Sequence, residues 1–272
     1  MKLLITGAAS GIGRAVCKRA IECGHEVYAL DIAQVEGPCG AACYRADITS
    51  SDSLLAVRDA LAAQGTVFDA IITVAGIHAM ASLVEDDFAL TEHLMDINLI
   101  GTMRTVHAFH PLLRAGGRVV IVTSEVGTLE PLPFNGLYSI SKCALESYAQ
   151  ALRQELGLLG QRVVTIRPGA IETPLAVSSI DATERLAERT ELYRSQAARF
   201  AGIARRFMGK PISPERLARL IVRVCEKKRP RLAYSKNRSA GLVLLNLLPK
   251  RAQCAVIRLL LGGRRKNTDE HH

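Results

Sequence analysis

Tyr138 and Lys142 stand four residues apart in Tyr138-Ser139-Ile140-Ser141-Lys142, at the start of a strongly helical segment running to about Leu156. Residues at i and i+4 share one face of a helix. A free tyrosine ionises near pH ~10, too high for a base at neutral pH. A lysine ammonium one turn away stabilises the phenolate and lowers that value. A phenol so placed exchanges a proton with a substrate oxygen. The same pair arises by chance on helix surfaces, so its weight comes from its neighbours. Ser124 closes the run Ile121-Val122-Thr123-Ser124, at the strand end where open α/β sheets bind ligands. Its hydroxyl is suited to hold the substrate oxygen toward Tyr138. Asn98, in Asp96-Ile97-Asn98, interrupts an apolar helical run. An asparagine there is solvent-facing, marks a bend, or holds a water that links Lys142 to bulk.

A second cluster lies at the N-terminus. The turn Thr6-Gly7-Ala8-Ala9-Ser10-Gly11-Ile12-Gly13 follows a strand-like run and opens a helix. A dinucleotide pyrophosphate needs backbone N–H groups at a helix N-terminus, and side chains there would block it. Gly7 suits the tight turn, Gly11 the approach of the phosphates, and Gly13 the packing of helix on strand. Asp31 stands eighteen positions beyond Gly13, at the end of Tyr28-Ala29-Leu30-Asp31. A carboxylate there accepts hydrogen bonds from both ribose hydroxyls and repels a 2′-phosphate. Positions 8 to 10 and 32 to 34 hold no basic residue, and Arg14 lies on the helix beyond the turn. NAD is therefore favoured over NADP. The plainer alternative is that Asp31 only caps the strand end.

The elements that must position these groups alternate along the chain. Strand candidates are Lys2–Thr6, Glu26–Leu30, Ala42–Ala46, Ala70–Val74, Arg118–Thr123, Arg162–Ile166 and Arg231–Tyr234, with helical patterns between them. Such an order means right-handed crossovers and a parallel sheet covered on both faces. Val119-Val120-Ile121-Val122 is apolar throughout, as a strand buried on both faces should be. The predicted fold class is α/β, a single doubly wound Rossmann sheet of seven parallel strands. Residues 175–210 form a long insertion, and residues 240–262 an apolar, helix-prone tail.

In these motifs the chain resembles the short-chain dehydrogenase/reductase family over roughly residues 2 to 235. The match covers Thr6-Gly7-x-x-x-Gly11-Ile12-Gly13, Asp47, Asn98, Ser124, Tyr138-x-x-x-Lys142 and Pro168-Gly169 followed by Thr173. The resemblance implies a catalytic tetrad of Asn98, Ser124, Tyr138 and Lys142 with a proton relay. It further implies that Lys142 binds the nicotinamide ribose, Thr173 the carboxamide and Asp47 the adenine. Other cofactor contacts implied are Gly7, Ser10, Gly11, Ile12, Gly13, Asp31, Ile48, Ala75, Gly76, Asn98, Tyr138, Pro168, Gly169 and Ile171. Where the family usually has Asn-Asn-Ala-Gly, this chain has Thr73-Val74-Ala75-Gly76. Ala75 and Gly76 still permit close packing, but the asparagine support of the strand is lost. The resemblance also implies subunit contacts through helices 88–114 and 138–156, in a homodimer or homotetramer.

Composition sets the outer bounds. The 272 residues suffice for one large domain, 49% are hydrophobic and 22% charged, ordinary for a soluble globular chain. A signal peptide is not expected, nor is a membrane-spanning run of ~18 apolar residues. Seven cysteines without CxxC pairing read as reduced thiols in a cytoplasmic protein, and Cys39 and Cys43 lack the further ligands of a metal site. His107 and His110 read as helix-surface or subunit-contact residues rather than metal ligands, and no metal is expected. His78 follows the Ala75-Gly76 turn and could border the substrate.

The net charge of +9 is uneven. Residues 1–198 hold 16 Lys and Arg against 22 Asp and Glu, whereas 199–272 hold 19 against 4. In the insertion, Leu186, Tyr193, Ala197, Phe200, Ile203 and Phe207 fall at helical spacing, with Arg185, Arg189, Arg194, Arg199, Arg205 and Arg206 around them. That pattern is either a helix covering the core or a lid over a hydrophobic substrate. Leu129, Pro131, Leu132, Pro133 and Phe134 offer an opposite wall.

The chain thus divides into a catalytic domain, 1–238, with its lid at 175–210, and a basic amphipathic extension, 239–272. The extension is similar to the tails of hydroxysteroid and retinol dehydrogenases. Its runs 242–248 and 255–261 are flanked by Lys250, Arg251, Arg264, Arg265 and Lys266. Such a segment folds over the lid, seals a subunit interface or rests peripherally on an anionic membrane. No nucleic-acid module accompanies the arginines.

These features predict an NAD-dependent enzyme interconverting a lipophilic, steroid-like or retinoid-like secondary alcohol and its ketone. The alternatives are a 3-oxoacyl-thioester reductase, a polyol dehydrogenase, an NAD-binding sensor without turnover, and a membrane-surface adaptor.

Overall fold

Successive side chains of the central strands enter opposite faces of one sheet, as the period of two demands. Leu3, Ile5, Val120 and Val122 go to one core, and Leu4, Val119 and Ile121 to the other. The computed structural model describes residues 1–34, 40–207 and 210–262. Cys39, the side chains of Arg205, Arg206 and Phe207, and Arg264, Arg265 and Lys266 lie outside the described residues.

The sheet contains β1 (Lys2–Thr6), β2 (Glu26–Asp31), β3 (Ala41–Arg45), β4 (Phe68–Thr73), β5 (Leu113–Val122), β6 (Arg162–Pro168) and β7 (Ala233–Lys236). Its order is β3-β2-β1-β4-β5-β6-β7, and every pair is parallel. The order reverses between β1 and β4, which opens the crevice where such sheets bind ligands. Several expected strand ends move. β5 begins at Leu113 rather than Arg118, because Phe68 pairs with Leu113 before a register shift. The last strand is Ala233–Lys236 rather than Arg231–Tyr234; the Arg231 N–H is taken by the Tyr234 hydroxyl at 2.9 Å.

On one face lie α1 (Gly11–Glu22) and α8 (Pro214–Glu226), which bury Val16, Ala20, Leu217 and Ile221. The other face carries α2 (Ser51–Ala63), α4 (Thr102–Phe109) and α5 (Gly136–Leu158), with Leu54, Leu61, Phe109, Leu145 and Ala149 buried. The expected continuous helix 88–114 is instead α3 (Phe88–Met95), a π-turn (Asp96–Gly101), α4 and a 3-10 turn ending at Leu112. Hydroxyls drive part of that irregularity: Thr102 donates back to the Asn98 carbonyl at 3.1 Å and Thr105 to Gly101 at 2.8 Å.

The insertion also departs from expectation. Its apolar face is shared by two helices, α6 (Pro174–Arg189) and α7 (Arg194–Phe207). The break falls at Thr190, where the Glu85 carboxylate accepts the Thr190 hydroxyl and the N–H groups of Glu191 and Leu192, the latter two at 2.9 Å. Arg189 is fixed to Asp86 at 2.8 Å. The tail forms α9 (Ala240–Asn246) and α10 (Lys250–Leu261). Leu186, Ala197, Phe200 and Leu261 bury themselves with Met80 and Phe134, a third apolar cluster outside the sheet. No helix of the described residues is long and apolar enough to cross a membrane.

Candidate active site

The glycine turn is built so closely that side chains do not fit. A Cβ on Gly13 would lie 1.9 Å from the Gly7 carbonyl oxygen, and one on Gly7 would lie 2.8 Å from the Ala75 backbone. Gly7 and Gly11 have φ of +68° and +50°, the region glycine enters freely. Ser10 caps α1 without a side-chain capping bond, so the first N–H groups of the helix point at the crevice with no side-chain acceptor from Ser10. A cradle of this shape fits a dinucleotide pyrophosphate.

At the tip of β2, Asp31 accepts the Ala9 N–H at 2.9 Å and the Ala33 N–H at 3.0 Å. Each carboxylate oxygen keeps a further lone pair. Arg45 pairs with Asp31 in sheet register, and its Nε donates to the Ile32 carbonyl at 3.2 Å. Reading only the positions next to the glycine turn and Asp31 overlooks this cation; parallel pairing of β2 with β3 is the signal that would have found it.

The lost asparagine support is replaced locally. Thr6 Oγ1 accepts the N–H groups of Val74 and Ala75 at 3.2 and 3.4 Å. Asp47 turns one oxygen onto its own loop, accepting the Thr49 N–H and hydroxyl at 2.8 and 2.7 Å. Ile48 packs against Gly101, where a Cβ would come within 2.8 Å. Across the crevice, Pro168 lines the cavity and Gly169 lies so close to Asn237 that a Cβ would be 1.9 Å from its carbonyl oxygen. Ile171 is buried and bridges Ile212. Thr173 caps α6 through the Ala176 N–H at 3.2 Å and packs against Gly11.

Between these walls the four candidate catalytic residues come together. Tyr138, Lys142 and Glu146 form an i, i+4, i+8 stripe on α5. Glu146 clamps that helix to the sheet: it accepts the Thr123 hydroxyl at 2.6 Å and both arms of Arg167 at 2.8 and 2.7 Å. Its place one turn beyond Lys142 was the available signal. Ser124 caps the 3-10 turn Glu125–Thr128, and Gly127 in that turn lies against the Lys142 carbonyl, where a Cβ would be 2.8 Å away. This tight contact brings Ser124 to Tyr138. The Lys142 ammonium is buried, 5.5 Å from the Tyr138 ring centroid.

Asn98 is neither solvent-facing nor free. It is fully buried in the π-turn, a feature that often marks functional sites. Its Oδ1 accepts the Ile77 N–H at 2.8 Å, and its Nδ2 donates to the Ile77 carbonyl and to Ser141 Oγ at 2.9 and 3.1 Å. Ser141 then donates to the Tyr138 carbonyl at 2.8 Å. The amide thus ties the strand β4 exit to α5, and a π-turn is what turns it inward.

Burial works against the lowering of the Tyr138 pKa expected from Lys142 and a positive nicotinamide ring together. Burial pushes the phenol up to about 12, and the Ser124 hydroxyl pulls in the opposite direction. Burial brings Lys142 down to about 8. A neutral phenol thus stands beside a lysine poised near neutral pH, and a cation in the crevice would lower the phenol's value.

Tyr138 opens into a cavity of about 780 Å³ whose walls are mostly apolar. Leu132 and Pro133 line it, whereas Phe134 is buried behind them against Tyr193 and Phe200. The helices α7, α9 and α10 supply more of the wall, including Ile203, Leu242, Leu245, Ile257 and Leu260. Glu125, unread in the sequence, is buried at the rim; its Oε2 accepts the Ser239 N–H at 2.7 Å, and burial raises its pKa. It fastens the start of α9 beside Ser124. His110 pairs with Gln161 at 2.9 Å. Among the described residues no three metal-type ligands cluster.

A family model described as short chain dehydrogenase matches residues 2–184. The chain is 32% identical to the 1-hydroxy-2-glutathionyl-2-methyl-3-butene dehydrogenase of Rhodococcus sp. over 64% of this chain and 79% of that one. It is 28% identical to human 17-beta-hydroxysteroid dehydrogenase type 1 over 85% of this chain and 76% of that one. A short-chain dehydrogenase structure from Streptomyces avermitilis superposes with a TM-score of 0.75 at 24% identity, covering 95% and 96% of the two chains, and supports the fold. The glycine cradle, the Ser124–Tyr138–Lys142 site and the family match agree: this chain belongs to the short-chain dehydrogenase family and is an NAD(P)-dependent oxidoreductase.

Proposed function

We propose that the chain interconverts a lipophilic secondary alcohol and its ketone, with NAD as the preferred cofactor and Asn98, Ser124, Tyr138 and Lys142 as the working set. The observation that carries this reading is the continuity of the cavity, which runs from Ser124 and Tyr138 directly into the apolar walls of α6, α7, α9 and α10. When bound, the nicotinamide gives or takes a hydride at the substrate carbon. Tyr138 takes the hydroxyl proton in oxidation and returns it in reduction. Ser124 holds the substrate oxygen in line with the phenol. Lys142 supplies positive charge that favours the phenolate, and Asn98 keeps Tyr138 and the β4 exit in register. Asp31 supports NAD because its remaining lone pairs suit ribose hydroxyls, while its charge opposes a 2′-phosphate. Arg45 in the same register moderates that opposition.

Among its relatives, the human enzyme is named for a steroid and the Rhodococcus enzyme for a glutathionyl alcohol. The apolar cavity favours the first chemistry. The helices α6 and α7 act as a substrate lid, and α9 and α10 close it. Leu259, outside the cavity, remains exposed on the same helix as Lys250 and Arg251, which supports peripheral contact with an anionic membrane. Exposed Ile100, Met103 and Ile140 support self-association through α4 and α5.

An NADH absorbance assay across steroid, retinoid, polyol and 3-oxoacyl substrates, with NAD and NADP in parallel, tests the proposal. Turnover of a rigid lipophilic alcohol with NAD is expected, reduced ~10²–10⁴-fold in Tyr138→Phe with cofactor affinity retained. Turnover of polar or acyl-thioester substrates alone overturns the substrate reading, and an active Tyr138→Phe overturns the proposed base.

A further inference from the structure

His78 occupies the junction between the reacting end of the cavity and its apolar body. The ring lies 4.6 Å from the Tyr138 ring, centroid to centroid, tilted by 60°. Its Nε2 is 2.9 Å from Asn135 Oδ1. A carboxamide oxygen only accepts, so in this arrangement Nε2 carries the proton and Nδ1 carries a lone pair. That Nδ1 is buried and has no hydrogen-bond partner. Asn135 precedes α5 but makes no capping bond with its side chain; its oxygen is engaged by the imidazole instead. Burial, with a smaller contribution from the Lys142 charge, holds the histidine below its usual pKa. The ring is therefore neutral at physiological pH and retains its acceptor.

A buried acceptor without a partner is costly. If His78 served only to pack against Tyr138, an apolar ring would do so without that cost. The neighbouring wall residues Ile77, Met80, Leu132 and Pro133 offer no side-chain N–H or O–H group. A ligand that enters the cavity can supply the missing donor.

We propose that His78 Nδ1 accepts a hydrogen bond from a second hydroxyl of the substrate, one or two carbons from the carbon that reacts. The substrate class is then a lipophilic diol, or the corresponding hydroxyketone, rather than a simple alcohol. This rests on Tyr138 meeting the reacting oxygen: the imidazole beside the phenol reaches the adjoining part of the same molecule. Asn135 is a positioning residue, since it fixes which nitrogen is bare. A site built around one hydroxyl discriminates against the analogue that lacks it, because its polar atom is left unpaired.

The experiment compares 1-tetralol with tetralin-1,2-diol and tetralin-1,3-diol on the full chain with NAD. One of the diols is expected to exceed 1-tetralol by ~10-fold or more in kcat/KM. His78→Phe should bring that ratio close to one, and His78→Gln, which keeps a hydrogen-bonding amide, should retain part of it. An unchanged ratio in His78→Phe, or no preference for either diol in the native chain, overturns the proposal. A second readout does not need turnover. In the chain labelled with ¹⁵N-histidine, the preferred diol should move the Nδ1 resonance of His78 toward the hydrogen-bonded position, while 1-tetralol leaves it in place. The resonance is assigned by its loss in His78→Gln. If no alcohol turns over but a diol moves Nδ1, the site stands and the proposed activity falls. If neither diol moves Nδ1, the site falls whatever the activity.

Discussion

The cofactor half and the substrate half of the crevice are made by different means. On the cofactor side, backbone meets backbone: Gly13 against Gly7, Gly7 against Ala75, and Gly169 against Asn237, each too close for a Cβ. On the substrate side, side chains from residues 77–80, 132–138, 175–204 and 237–261 make most of the wall of a cavity of about 780 Å³ that also reaches Ile12, Gly76 and Gly169. Backbone contact permits one residue type and one spacing, so it specifies shape narrowly. Apolar side-chain walls accept many residues of similar volume. One half should therefore resist substitution, and the other should retune.

The largest effect is expected at Gly13→Ala. The new methyl would lie 1.9 Å from the Gly7 oxygen, so α1 must leave β1. A loss of about 2–4 kcal/mol is expected, with little remaining cofactor affinity. Thermal unfolding with and without NAD measures both. A variant that is still stabilised by NAD as strongly as the native chain would remove the backbone argument.

Next comes Lys142→Met, where activity and stability should move in opposite directions. The lysine is held at about 8 in the fold, below its ordinary 10.5. Its ammonium is therefore penalised by folding. Below about pH 8 it is charged in both states and the full cost applies; above 10.5 it is neutral in both and the cost is gone. The methionine variant should gain on the order of 1–3 kcal/mol at pH 7, shrinking as pH rises from 8 to 10.5, while turnover collapses. A gain independent of pH would mean that packing, not charge, is responsible.

The same contrast explains what the sequence disclosed. Glycine spacing, Asp31, Ser124 and the Tyr138–Lys142 step were legible because each depends on local geometry within one or two elements. Alternating strands and helices gave the seven-stranded sheet, but not the early start of β5, which follows from its pairing with Phe68. For Asn98 the sequence left a surface residue, a bend and a water-holding residue open; the buried bend could not be singled out, since it depends on a π-turn and on partners 21 and 43 residues away. Glu125, Arg45 and the His78–Asn135 pair depend on contacts between distant segments. The tail illustrates this best: its apolar runs were plain, but the bond from Ser239 to Glu125 that fastens its start was not.

A smaller effect is expected at the polar edge of the cofactor half. Asp31 combines a loop role, through the Ala9 and Ala33 N–H groups, with the proposed ribose contact. Asp31→Ala should weaken NAD ~10-fold and narrow its advantage over NADP by a similar factor, because one charged hydrogen-bonding group is lost from the first ligand and one repulsion from the second. Parallel affinity measurements for the two cofactors decide it. Equal weakening of both would leave Asp31 as a loop brace only, with Arg45 no longer opposed by a cofactor-selecting charge.

The gentlest test lies at Leu245, on the tail side of the cavity. Its truncation to alanine removes apolar wall without touching the glycine cradle, Tyr138 or the sheet core. A half-buried leucine contributes about 1 kcal/mol of contact to a lipophilic ligand, so KM should rise ~5-fold while kcat changes little, the pattern of lost uniform binding. The melting temperature should move by no more than ~2 °C, since α9 packs on the cavity rather than in the sheet. Should Leu245→Ala instead lower kcat and stability as Gly13→Ala does, the tail would belong to the same rigid unit as the cofactor cradle, and the two halves of the crevice would not be separable.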